Sequence, residues 1–254
     1  IVGEFPELQG IMGGHLSSIQ GFDKEIIDAI KEQYLPIGTN SAVPKKPFSI
    51  TLSLADKIDT LIGFFGINEK PSGSKDPYAL RRTALGIIRI LIENKKDIKI
   101  HNLLSNSSSI YLDQDFDFSN DNLIKDVSSF LIERFKYYCK EKNLRHDIIE
   151  ASTKSLNLNK ISTTYEKAKS LNKIINKPIG EDIVSSYKRA SNIINSEIKI
   201  INENLSNSTD PALFKNDYEK ALFKKTTQVK QYLLEIPDNQ KYDEILVFLA
   251  TAKK

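Results

Sequence analysis

The sequence predicts an all-α protein, and three observations support that fold class. Apolar residues recur every three or four positions in several long segments, which is the spacing of one helix face. No segment alternates apolar and polar residues for long enough to indicate a strand. Clusters of glycine, proline, asparagine and serine separate the periodic segments. We therefore expect the main helices over residues 24–34, 54–65, 77–93, 123–140, 163–175, 183–205, 218–234 and 242–252.

The N-terminal segments are predicted to alternate between short helices and turns. A short helix after Pro6 should be interrupted at Gly13-Gly14. Residues 37–48 contain two prolines and a Gly-Thr-Asn-Ser run, so they are predicted to form an irregular loop. The helix over 24–34 ends before Pro36, and the residues expected on its inner face are Ile26, Ile27, Ile30 and Tyr34.

Residues 54–93 are predicted to form a helix, a loop and a second helix. Asp76-Pro77 opens the second helix, with aspartate as its cap and proline at its first position. The expected core residues are Leu54, Ile58, Leu61, Ile62 and Phe65 in the first helix and Leu80, Ala84, Ile87, Ile88 and Leu91 in the second. Three arginines of the second helix fall outside this apolar stripe: Arg81, Arg82 and Arg89.

The Gly- and Ser-rich loop before the second helix is a candidate phosphate-contacting surface. It brings Lys75, Arg81 and Arg82 to a helix N-terminus, where free N–H groups and cations both favour an anion. The alternative is a solvated basic helix start without a ligand.

Asp56 lies in the stretch LADKID, which resembles the last motif of the HD phosphohydrolase superfamily, where an aspartate completes a metal site. The preceding His15 is followed by leucine, and His146-Asp147 comes after Asp56 in the chain. A metal-dependent hydrolase would therefore lack most of its ligands. We expect Asp56 to cap a helix or to pair within the helix bundle instead.

Composition excludes several classes of protein. The chain is 40% hydrophobic and 27% charged, as in globular proteins with a core, and it has no apolar run long enough to span a membrane. Its single cysteine, Cys139, excludes a disulfide framework and favours a cytoplasmic protein with a structural thiol. Residues 1–120 hold 13 Lys+Arg against 15 Asp+Glu, and residues 121–254 hold 23 against 18. The second half is basic enough to suit a polyanion, although lysine-rich surfaces are also common without one.

The C-terminal half is predicted to be a second helical domain, over 123–254, after a domain over 1–100 and a linker over 101–122 rich in Asn, Ser and Asp. Its first helix should bury Leu123, Val127, Phe130, Leu131, Phe135 and Tyr138. Arg134 lies nearer the polar side of that helix, and Arg145 follows at a turn. The helix over 183–205 should bury the stripe Ile183, Tyr187, Ala190, Ile194, Ile198 and Ile201.

Opposite its apolar stripe, the helix over 183–205 has a polar face that carries Lys188, Arg189 and Asn192. Cations interleaved with amides can hold phosphate and contact unpaired base edges of RNA. The alternative is again a solvated helix face.

Three long stretches, VGEFPELQGIMG, LADKIDTLIGFFGI and SGSKDPYALRRTALGIIRILIE, closely resemble the β subunit of bacterial heterotetrameric glycyl-tRNA synthetase. The resemblance is dense over 2–93 and returns in LRHDII, in YKRASNII and over 243–253. It implies an HD-like helical domain without metal chemistry, followed by an anticodon-binding helical bundle of the kind shared with arginyl-tRNA synthetase. It also implies that the chain is a C-terminal fragment of a longer β subunit.

The resemblance further implies partners and cofactors. The expected partners are tRNA-Gly and the α subunit of an α2β2 tetramer. ATP and magnesium are expected on the α subunit, with no cofactor in this fragment, which alone should be inert. The residues expected to contact tRNA are Lys75, Arg81, Arg82, Arg134, Arg145, Lys188, Arg189 and Asn192. The alternatives are an HD-type metal-dependent phosphohydrolase and a helical scaffold without RNA affinity.

Overall fold

The computed structural model describes residues 3–114, 116, 118, 120–154, 156–201, 209–235 and 242–250. Within these residues the protein is all-α, which confirms the predicted fold class. Three short 3-10 helices accompany the α-helices, at Pro6–Leu8, Leu158–Lys160 and Pro211–Leu213. The α-helices are α1 (Ile11–Ile19), α2 (Lys24–Glu32), α3 (Pro47–Gly66), α4 (Leu80–Glu93), α5 (Ile100–Asp113), α6 (Leu123–Glu141), α7 (His146–Lys154), α8 (Ile161–Ile174), α9 (Pro178–Ile201), α10 (Asp217–Glu235) and α11 (Tyr242–Ala250).

The chain divides into two compact units, a larger one over Ile1–Tyr165 and a smaller one over Glu166–Lys254. This division differs from the predicted linker over 101–122. Most of that segment forms α5, which packs against α3 and α6 and buries Ile100 and Leu104 completely. Two buried apolar side chains one helical turn apart anchor α5, although most of its other residues are polar. The assignment of an HD-like and an anticodon-binding domain remains a prediction.

The core of the larger unit is built by α3, α4 and α6, which pack against one another. Each of the core residues predicted for these three helices is buried. Burying one such aliphatic or aromatic side chain stabilises the fold by about 1.5–3 kcal/mol, so this interface holds most of the unit's apolar stabilisation. Cys139 also lies inside it, and burial raises the pKa of its thiol to about 12, in agreement with a structural thiol.

Two glycines predicted to interrupt the first helix lie inside α1 instead. α1 packs against α2, and a Cβ on Gly14 would come within 2.3 Å of Cγ of Lys31. A Cβ on Gly13 would come within 3.0 Å of Cγ2 of Ile30. These glycines therefore permit the close approach of two helices rather than a turn.

Arg89 is buried, contrary to its predicted place outside the apolar stripe of α4. It is 7% exposed, and its Nε donates to Oε1 of Glu93 at 2.8 Å. Its Nη1 donates to the carbonyl of Gly38 at 2.8 Å, and its Nη2 to that of Ser41 at 2.7 Å. The guanidinium thus satisfies two carbonyls of the irregular loop, which has no secondary structure to do so.

The smaller unit contains the rest of α8 and α9 to α11, and α9 packs against α11. The buried stripe predicted for α9 is wrong over its described positions. Tyr187 is 73% exposed, Ala190 and Ile194 are exposed, and Ile183 is only half-buried. A helix that packs mainly against one short neighbour buries a narrow strip, so helical periodicity overestimates its buried face. The side chains of Ile198 and Ile201 lie outside the described residues.

In the part of the chain that the structure describes, no helix combines the length and the apolar character needed to cross a bilayer.

We expect Arg89→Ala to lower the free energy of unfolding by about 2–4 kcal/mol, because it removes the charged donor to the carbonyls of Gly38 and Ser41 and leaves Glu93 without its partner. Urea unfolding measures this change. Arg82→Ala, on the exposed side of the same helix, is the control and should stay within about 0.5 kcal/mol of the wild type. Equal midpoints for the two variants would contradict the structural role of Arg89.

Candidate functional site

The start of α4 differs from its predicted capping. The helix begins at Leu80 rather than at Pro77, because Ala79 has a left-handed backbone with φ of 55°. Asp76 still caps it: Oδ1 accepts from the backbone N of Leu80 at 2.8 Å and Oδ2 from that of Arg81 at 3.0 Å. These N–H groups are therefore occupied by a carboxylate, and any phosphate here must be bound by side chains.

The loop before α4 is held closed by its own backbone and by Arg81. Ser72 and Lys75 exchange two backbone hydrogen bonds, of 3.1 and 2.8 Å, across a turn in which Gly73 has a φ of 53°. Arg81 folds back over this turn and donates from Nη2 to the carbonyl of Gly73 at 2.7 Å. The side chain of Lys75 is exposed. Arg81 therefore orders the loop and remains at the protein surface.

Three of the predicted site residues, Arg81, Arg82 and Arg134, line one pocket in the larger unit. This arginine pocket has a volume of about 490 Å³.

 Arg81, Arg82 and Arg89 reach the pocket from α4, and Arg134 reaches it from α6, which packs against α4. The full lining is Pro36, Gly38, Thr39, Arg81, Arg82, Leu85, Gly86, Arg89, Arg134 and Tyr137. Arg134, predicted from the sequence to belong to a second domain, lies beside Arg81 and Arg82 in the structure.

The arginine pocket is strongly cationic. Four arginines line it, and its described lining contains no aspartate or glutamate. Glu93 offsets only Arg89, to which it is hydrogen-bonded. Four guanidinium groups around one recess repel one another unless an anion or solvent counter-ions enter, so the pocket favours an anionic ligand.

Arg134 is the least hydrogen-bonded of the four arginines among the described residues. Its Nε is buried and has no hydrogen-bond partner among the described residues. Its Cζ lies 5.6 Å from the ring centroid of Phe130 and 5.7 Å from that of Tyr137, so two aromatic rings hold the cation in place. A guanidinium held by rings rather than by a carboxylate keeps its donors available for a ligand.

A second pocket, of about 220 Å³, surrounds Lys57 and is called the lysine pocket below. Lys57 is 5% exposed, and its Nζ donates to the carbonyl of Gln33 at 3.0 Å and to Oγ of Ser53 at 2.9 Å. Burial lowers the pKa of Lys57 to about 8. A Cβ on Gly86 would lie 2.9 Å from Cε of Lys57, so this glycine makes room for the buried lysine. The lining is Gln9, Tyr34, Pro36, Ile37, Asp56, Lys57, Thr60, Arg82 and Thr83.

Lys57 is not among the site residues predicted from the sequence, although its position in the helical pattern marks it as buried. Lys57 lies one turn after Ser53 and between the apolar positions Leu54 and Ile58, on the face of α3 that points to the core. Asp56, expected to cap or to pair, lines the lysine pocket, and its carboxylate accepts no hydrogen bond among the described residues. Burial raises the pKa of Asp56, against the opposing effect of the Lys57 charge.

The other predicted site residues lie outside these pockets. Arg145 pairs with Asp147 at 2.8 Å, and this hydrogen-bonded pair holds the pKa of Asp147 below its usual value. Lys188, Arg189 and Asn192 are exposed on α9 in the smaller unit. The described residues contain no group of three His, Cys, Asp or Glu side chains arranged to hold a metal ion.

Comparison with known proteins gives a consistent result. The family model described as glycyl-tRNA synthetase beta subunit matches residues 1–154. The glycine–tRNA ligase beta subunit of Rickettsia prowazekii is 38% identical over 254 residues, which is 100% of this chain and 36% of the relative. That of Cereibacter sphaeroides is 37% identical over 224 residues, covering 88% of this chain and 32% of the relative. The chain thus spans about a third of the length of these relatives. The HD phosphohydrolase alternative receives no support from these comparisons.

We expect the lowered pKa of Lys57 to make stability rise with pH. Between about pH 8 and pH 10.5, Lys57 still binds a proton in the unfolded chain but has released it in the folded protein. From pH 7.5 to 9.5 the wild type should gain about 1–2 kcal/mol relative to Lys57→Met. Urea unfolding at both pH values measures the difference, with Lys140→Met as the exposed-lysine control. An identical pH dependence in wild type and Lys57→Met would refute the buried charge.

Proposed function

The chain belongs to the glycyl-tRNA synthetase β-subunit family, and from that premise we propose that it is a tRNA-binding part of a glycine–tRNA ligase. In this proposal it supports the ATP-dependent attachment of glycine to tRNA-Gly. The adenylate chemistry, with ATP and magnesium, takes place on the α subunit of an α2β2 tetramer in the cytoplasm. This chain binds RNA and does not form glycyl-adenylate alone.

The observation that carries the proposal is the arginine pocket. Arginine presents a planar fork of donors that matches the oxygens of a phosphate, and it does so best where no carboxylate competes. Arg82 is exposed at the pocket, and Arg134 has a buried Nε without a partner among the described residues. Arg81 and Arg89 add charge while they hold the surrounding loops through backbone carbonyls. Two arginines that fix the surrounding loops and two that are available to a ligand together suit a preformed site for the RNA backbone.

A second contact surface is proposed on α9, where Lys188, Arg189 and Asn192 are exposed. The cations would contact phosphates, and the amide of Asn192 can pair with a base edge of the anticodon. In the larger unit, Arg145 would contact a phosphate of the RNA by exchanging Asp147 for it, since a solvent-exposed ion pair holds its partners only weakly. Lys75 would add a further exposed cation beside the arginine pocket.

Removal of the arginine pocket's available cations should weaken tRNA binding. We expect Arg82→Ala and Arg134→Ala each to lower affinity for tRNA-Gly and for an anticodon mutant alike. Each variant should also reduce the slope of log K against log salt by about one, because one phosphate contact is lost. Filter binding over a salt series measures both quantities.

Lys140→Ala is the matched control, since Lys140 is an exposed cation of α6 outside the arginine pocket's lining. It should change affinity and slope less than either arginine variant. Equal effects of all three substitutions would indicate general charge attraction rather than a site. Absence of salt-dependent tRNA binding by the unmodified chain would favour the scaffold without RNA affinity.

The two kinds of residue on α9 should behave differently. We expect Arg189→Ala to weaken binding without changing selectivity, because phosphate is the same in every tRNA. Asn192→Ala should cost about 1–3 kcal/mol for the cognate anticodon only, by analogy with base-edge contacts. Filter binding to tRNA-Gly and to an anticodon mutant separates the two effects. Wild-type affinity and selectivity in both variants would place the anticodon contact elsewhere.

A further inference from the structure

The arginine pocket and the lysine pocket adjoin each other, since Pro36 and Arg82 line both. Arg82 donates weakly, at 3.4 Å, to the carbonyl of Ile37, so its guanidinium is not fixed by a strong partner there. One ligand can therefore occupy both pockets, with the side chain of Arg82 at their shared wall.

The two pockets differ in chemistry. All charged side chains that line the arginine pocket are arginines, which donate hydrogen bonds and do not accept them, so this pocket suits a phosphate. The lysine pocket combines the cation Lys57 with the carboxylate of Asp56 and with the uncharged polar side chains of Gln9, Tyr34, Thr60 and Thr83. A second phosphate is disfavoured beside Asp56, whereas a group with both donors and acceptors is favoured.

The size of the lysine pocket further restricts which ligands can fit. Its 220 Å³ corresponds to about seven water molecules at about 30 Å³ each. This is room for a single flat ring system rather than for a duplex or a whole nucleotide. Proteins that read RNA bases do so mainly on unpaired nucleotides, whose edges and faces are accessible.

We propose that the two pockets together bind one unpaired nucleotide of RNA, with its phosphate in the arginine pocket and its base in the lysine pocket. Arg82 lies between the two and contacts the phosphate. Asp56 accepts from the base, and the hydroxyl and amide groups of the pocket complete the contacts to its edge. This inference rests on the proposed RNA-binding function and names the part of the RNA that the larger unit recognises.

The test compares small ligands by isothermal titration calorimetry on this chain: the four nucleoside 5′-monophosphates, ribose 5-phosphate and inorganic phosphate. At least one nucleotide should bind about tenfold more tightly than ribose 5-phosphate. Asp56→Asn should remove that preference while leaving affinity for ribose 5-phosphate in place. Arg82→Ala should weaken binding of all phosphates.

Asp59→Asn is the matched control, because Asp59 lies on the same helix and does not line the lysine pocket. It should keep the preference for the nucleotide. Thr60→Val gives a second test of the base contact if Asp56→Asn fails to fold, and it should reduce the preference severalfold.

The inference is overturned if no nucleotide binds more than about threefold tighter than ribose 5-phosphate, or if Asp59→Asn removes the preference as fully as Asp56→Asn. In either case tRNA binding that depends on Arg82 and Arg134 would leave the proposed function intact. Loss of the proposed function would appear separately, as absence of salt-dependent tRNA binding.

Discussion

Two buried cations, Lys57 and Arg89, determine the position of the irregular loop between α2 and α3. Lys57 donates to the carbonyl of Gln33, and Arg89 donates to those of Gly38 and Ser41. The hydroxyl of Ser53 donates to the carbonyl of Leu35 at 2.7 Å. A loop without secondary structure must find donors for its carbonyls, and α3 and α4 supply them from their side chains. The cost of burying two charges is offset by this set of hydrogen bonds.

Both pockets depend on that arrangement. Gly38, whose carbonyl accepts from Arg89, lines the arginine pocket, and Pro36, which follows the anchored Leu35, lines both pockets. Gly86 allows Lys57 to pass beneath α4, and a larger residue there would displace the lysine. Different side chains therefore carry the two kinds of charge. Lys57 and Arg89 hold the loop in place, whereas Arg82 and Arg134 remain available to a ligand.

The family assignment and the pocket chemistry support each other but come from different observations. The family model covers residues 1–154, which contain both pockets and all of α3, α4 and α6. The smaller unit has few buried apolar side chains among its described residues, with Ala168 and Ile174 as the buried ones. The α9 surface thus offers exposed cations and an amide on an open helix face, whereas the arginine pocket presents its cations in a recess of defined shape.

The sequence by itself determined the all-α class and the apolar faces of α3, α4 and α6, because helical periodicity is a local property of the chain. It also identified Arg81, Arg82 and Arg134 as candidate contacts. Only the tertiary structure decided that these three share one pocket, that Lys57 and Arg89 are buried, and that Tyr187 and Ile194 are exposed. The physical reason is that burial depends on which surface a helix face meets, and distant segments such as residues 33–41 supply that surface.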